Sequence, residues 1–65
     1  MKLVTKEQWD KLSPRSQGYV CYLQGNRPGS ELKGIVNPYF KHTKQHRDFY
    51  EGEYDAVIET VESEG

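Results

Sequence analysis

The sequence predicts an all-α fold, a small two- to three-helix domain with a long ordered linker before its C-terminal helix. Two observations carry this expectation. In the last third of the chain, apolar and acidic residues each recur at spacings of three and four, the period of an amphipathic helix. Upstream, capping residues precede two shorter helical runs, and Gly, Pro, Asn and Ser mark turns between those runs and the last helix.

The first element is short, about residues 6–12. Thr5 is a good N-cap and Gln8 follows three residues later, as a capping box requires. Val4 can staple onto Trp9, which shares a face with Leu12 and is expected to anchor the core. The second helix is expected over 14–24. Ser13 caps it, Pro14 fills the first helical position where its missing N–H does no harm, and Gly25 suits a left-handed C-terminal residue. Tyr19, Tyr22 and Leu23 form one face, with Val20 and Cys21 beside it. Gly18 weakens this helix by ~1 kcal/mol relative to Ala unless something packs closely against it.

Residues 25–42 form the connection, turn-rich at Asn26–Ser30 and again at Asn37-Pro38, with Leu32, Ile35 and Val36 able to dip into the core. Connections this long in a small domain are often functional. The third helix is expected over 44–62 with Thr43 as its cap. Tyr50, Tyr54, Val57, Ile58 and Val61 make one apolar face, and Asp48, Glu51, Asp55, Glu59 and Glu62 make an acidic stripe. Phe49, Gly52 and Ala56 lie on a third side, where the two small residues let another helix approach closely.

With 65 residues the chain has room for a single domain, 1–65. A domain of this size buries only ~60% of the surface its unfolded chain exposes. Its apolar fraction is 34%, so its stability is expected to be marginal. Cys21 is the lone cysteine, which excludes an intrachain disulfide and fits a reducing compartment. No apolar run approaches the ~20 residues of a membrane helix, and the N-terminus lacks the apolar region of a signal peptide. The expectation is a cytoplasmic protein with no membrane partner. The net charge of −1 conceals a division: residues 1–47 hold all nine Lys and Arg, whereas residues 48–65 hold seven of the ten acids. Such asymmetry marks either a binding surface or two halves that attract each other in the fold.

The chemistry-bearing residues do not assemble into an enzyme signature. His42 and His46 are four apart, but Thr43 as cap puts His42 outside the helix, so no metal is expected. Cys21 sits mid-helix in an apolar run, the setting of an inert thiol. There is no Walker motif and no nucleotide-binding glycine fingerprint, and no cofactor is expected. The charges on the third helix are more informative. Lys41, Lys44 and Arg47 crowd its start, with His42 and His46 among them, whereas helix N-termini favour acids. Bases beside free N–H groups make an anion site, with phosphate the natural anion. Tyr39, Phe49 and Tyr50 are close enough in sequence to stack on bases.

Gly18-Tyr19, Gly25, Asn37-Pro38-Tyr39, Phe49-Tyr50, Gly52, Tyr54 and Ala56 together resemble the ribosome modulation factor family of small bacterial and phage proteins, over roughly residues 17–57. The resemblance implies two helices joined by an ordered linker. It implies that Asn37, Pro38 and Tyr39 anchor that linker, with Pro38 and Tyr39 tucked against both helices, and that Gly18 and Gly52 permit close helix packing. It also implies binding to ribosomal RNA. The chain departs from the family in its longer linker, in Phe49 where tryptophan is usual, and in its acidic last helix.

Two functions are therefore expected in alternation. One is a small regulatory protein that contacts ribosomes or ribosomal RNA through a basic side formed by Arg27, Lys33, Lys41, Lys44 and Arg47. The other is a phage or prophage protein-interaction module that works through Asp48, Glu51, Asp55, Glu59 and Glu62. A homodimer is a variant of the second, with the basic start of one helix meeting the acidic end of another across Gly52 and Ala56.

Overall fold

A computed structural model describes residues 3–64, and among these the chain forms three helices: α1 (Lys6–Asp10), α2 (Pro14–Gln24) and α3 (Lys44–Glu64). Each begins where a side chain can satisfy orphan N–H groups. The Thr5 hydroxyl accepts from the Gln8 N–H at 3.1 Å while the Gln8 side chain accepts from the Thr5 N–H, completing the capping box. Ser13 accepts from the Ser16 N–H, with Pro14 in the first turn of α2. Thr43 Oγ1 accepts from the His46 N–H at 3.2 Å and donates to the Phe40 carbonyl at 2.7 Å. The helix expected over 6–12 stops at Asp10, and Lys11 and Leu12 continue as a turn. At the other end, α3 runs two residues beyond the expected 62.

Gly25 ends α2 in a right-handed conformation (φ −57°, ψ −33°), not the left-handed one expected of it. The left-handed residues lie farther on. Gly29 and Gly34 (φ +81° and +80°) turn the connection, and His42 (φ +70°) sits in the turn just before the Thr43 cap.

The helix pair α2–α3 is held backbone to backbone. A Cβ at Gly18 would stand 1.9 Å from the Phe49 carbonyl oxygen, and one at Gly52 would stand 1.8 Å from the Arg15 carbonyl oxygen. No side chain fits at either crossing point, so the glycine that weakens α2 in isolation is the one that lets α3 approach. The face of α3 toward α2 is therefore Phe49, Gly52 and Ala56, which are buried. Tyr50, Tyr54, Ile58 and Val61, the strongly apolar face, are instead 54%, 66%, 40% and 62% exposed. Likewise Tyr22 on α2 is exposed, while Val20 and Cys21 pack on the core.

That core is small. Trp9, Leu32 and Phe49 form it, and Val4, Leu12, Val20, Cys21, Ile35 and Tyr39 pack around it. The molecule is 17 Å along its shortest axis, about one and a half helix diameters, and the described residues leave one side of α3 uncovered. Leu32 dips into the core as expected, whereas Val36 is exposed.

Two buried glutamines do work that apolar periodicity does not reveal. Gln17 Nε2 donates to the Trp9 carbonyl and Trp9 Nε1 donates to the Gln17 carbonyl, both at 3.0 Å. This reciprocal pair fastens α1 to α2, and the Tyr39 hydroxyl completes it by donating to Gln17 Oε1. Gln24 Oε1 accepts from the Val4 N–H at 2.8 Å, tying the chain ahead of α1 to the far end of α2. Buried amides joined in this way escape the desolvation penalty of unpaired polar groups.

Candidate nucleic-acid interface

The connection is pinned to the start of α3 by Asn37 and Tyr39. Asn37 Nδ2 donates to the His46 carbonyl and Asn37 Oδ1 accepts from the Tyr39 N–H, each at 3.0 Å. The Tyr39 ring meets Phe49 edge to face with centroids 6.4 Å apart. Pro38, expected to tuck in beside them, is exposed. With the linker held there, the turn at Lys41–His42 and the first two turns of α3 enclose a shallow groove lined by Lys41, His42, Thr43, His46, Arg47 and Tyr50. Among the described residues no carboxylate lines it. The His46 and Tyr50 rings meet edge to face at 4.8 Å and form its aromatic side. Phe40, next to Lys41 in the chain, is 87% exposed.

The basic residues divide between this groove and other places. Lys41 and Arg47 line it, and Lys44 is exposed in the first turn of α3. Among the described residues no ion pair engages any of the three. Arg27 and Lys33 lie on the connection and do not line the groove. Arg27 Nε donates to the Leu23 carbonyl at 3.4 Å, so it serves the C-terminus of α2. Of the aromatics expected to stack on bases, Phe49 is fully buried and Tyr39 is half-buried and hydrogen-bonded, which leaves Tyr50. Phe40 is a further exposed ring in this region, and no sequence period points to it because it lies outside the helix.

The acidic residues are partly committed to the fold. Arg15 donates to Asp55 through Nε and Nη2, at 2.9 and 2.6 Å, and the Tyr19 hydroxyl donates to Glu59. The bond to Asp55 raises the Arg15 pKa above its ordinary value, and the bond to Glu59 raises that of Tyr19. These contacts join the basic and acidic parts of the chain across the helix pair. Asp48, Glu51 and Glu62 form no ion pair among the described residues.

A second groove lies at the other end of α2, lined by Cys21, Tyr22, Gly25, Leu32, Ile35 and Glu53 among others. Cys21 Sγ lies 3.7 Å from the Ile35 carbonyl, and burial, assisted by Glu53, pushes the thiol pKa up. Burial also raises the Glu53 pKa. A thiol whose pKa rises is less nucleophilic at neutral pH. Among the described residues, no three His, Cys, Asp or Glu side chains gather as metal ligands, and no helix is long and apolar enough to cross a membrane.

No family model, no curated protein and no solved structure matches the chain.

Proposed function

We propose that this chain is a small binding protein, not an enzyme, that docks on the phosphodiester backbone of RNA through the head of α3, with bacterial ribosomal RNA the target its family resemblance suggests. The observation that carries this reading is the groove in which Lys41, His42, His46 and Arg47 meet Tyr50 with no carboxylate among them. Cations there neutralise phosphates, the N-terminus of α3 adds partial positive charge, and Tyr50 and Phe40 offer ring faces to unstacked bases. The acidic residues that offset the overall charge are drawn toward α2 at Asp55 and Glu59. The basic side is Lys41, Lys44 and Arg47, with Arg27 and Lys33 outside it.

Titration with a single-stranded ribosomal RNA fragment at several salt concentrations tests this. Three phosphate contacts on a single strand give a log–log salt slope of about −2, a loss of roughly 15-fold between 50 and 200 mM salt. Lys44→Glu with Arg47→Glu removes most of that slope. Unchanged affinity in the double variant would sink the reading.

The alternative, a protein-interaction module working through the acidic stripe, rests on Asp48, Glu51 and Glu62, because Asp55 and Glu59 are already engaged. A partner captured equally well after Glu51→Lys and Glu62→Lys would remove it.

A further inference from the structure

Tyr50, Tyr54, Val57, Ile58 and Val61 form a strip along α3 about 17 Å long at 1.5 Å per residue. α2 covers a different side of the helix, through Gly52 and Ala56, and four of the five strip residues are 40–66% exposed. A second feature of α3 is equally unusual. It has no acidic residue in its first turn and no basic residue in its last, the reverse of what its own dipole favours. Lys44 and Arg47 head the helix, while Glu59 and Glu62 lie near its end. By helical spacing Lys44, Arg47, Glu51 and Glu62 follow one edge of the apolar strip.

The geometry points to a second copy of this chain as the occupant of the strip, with two α3 helices packed antiparallel about a two-fold axis near Tyr54 and Val57. A parallel arrangement would set Lys44 and Arg47 against themselves and Glu62 against itself. The antiparallel one sets the basic head of each copy beside the acidic end of the other, and the two-fold repeats that contact at both ends. It also gives each helix terminus the opposite charge that its own sequence lacks. Gly52 and Ala56, expected at such a contact, are buried against α2 and take no part. Two partly exposed tyrosines and three aliphatic side chains supply roughly 400–500 Å² a copy, below a standard stable interface, so the pair is weak and concentration-dependent. Because Arg47 and Tyr50 belong both to this contact and to the basic groove, pairing and polyanion binding compete. The pairing itself does not depend on the RNA reading.

Sedimentation of the full chain without nucleic acid tests it. At 25 mM salt the mass rises from 7.6 kDa toward twice that value between roughly 10 μM and 1 mM, the range of a small interface. Tyr54→Ser, at an exposed position, weakens association about tenfold with an unchanged helical circular dichroism spectrum. Arg47→Glu and Glu62→Lys each weaken it severalfold, and the double variant recovers wild-type association because the swapped charges again oppose. A monomer throughout that range overturns the proposal. So does a double variant no stronger than either single one, since only an antiparallel pair restores attraction.

Discussion

The two sides of α3 differ in a way that runs against simple hydrophobic ranking. The side packed on α2 carries Phe49 and two of the smallest residues, Gly52 and Ala56. The side left open carries two tyrosines, an isoleucine and a valine more than a third exposed. Close approach of the backbones decides the choice. With Gly18 and Gly52 facing carbonyls of the opposite helix, α2 and α3 gain dispersion contacts that larger side chains would hold apart. In a molecule so thin, what remains outside is a surface free to meet something else.

The largest expected effect falls on the packed side. Gly52→Ala places a methyl carbon inside the Arg15 carbonyl. Displacing backbone rather than a flexible side chain is expected to exceed the ~1–3 kcal/mol of ordinary overpacking. Against a total stability on the order of 3–10 kcal/mol, little folded protein should remain in a urea titration followed by circular dichroism. An unchanged midpoint would mean that the helices do not meet at Gly52.

Next comes the amide pair beside it. Gln17→Leu removes one of the two donors to the Trp9 carbonyl, which keeps the Leu12 N–H, and leaves the Tyr39 hydroxyl without its Gln17 acceptor, and should destabilise by about 1–2 kcal/mol. Trp9 fluorescence would report the loosening, and an effect as small as that of a surface substitution would contradict the network. Glu53→Gln acts through pH. Burial raises the folded-state pKa of Glu53 above its unfolded value. The stability it contributes is therefore fully present below the unfolded pKa and lost as pH rises through the folded one. The amide should give a small rise in Tm at pH 7 that fades near pH 4, and a fall at pH 7 would reverse the assignment. Smallest is the open side: Tyr54→Ser in dilute solution should change stability by no more than about 0.5 kcal/mol. A larger loss there would show that the strip supports the monomer.

Much of the backbone was legible in the residues. Thr5, Ser13 and Thr43 mark the helix starts because capping is local chemistry. Gly18 and Gly52 are buried at the crossing, as the spacing of small residues in α3 suggests. What periodicity did not show was which face of α3 would be covered. That depends on how closely two backbones approach, and the apolar count points to the wrong side. Gln17 and Gln24 escaped notice for a related reason, since a buried amide has no hydrophobic period and only its partners identify it. Among the basic residues, Lys41 and Arg47 meet at one groove because the linker is pinned by Asn37 and Tyr39. Arg27 and Lys33 share only their charge with that groove.

The claim that the head of α3 is the binding side is tested most directly by amide chemical-shift mapping of the full chain during titration with a single-stranded ribosomal RNA fragment at low salt. The expected result is a set of perturbations centred on Phe40, Lys41, His46, Arg47 and Tyr50 that disappears as salt is raised. Perturbations confined to the acidic end of α3, or none at all at low salt, would contradict it.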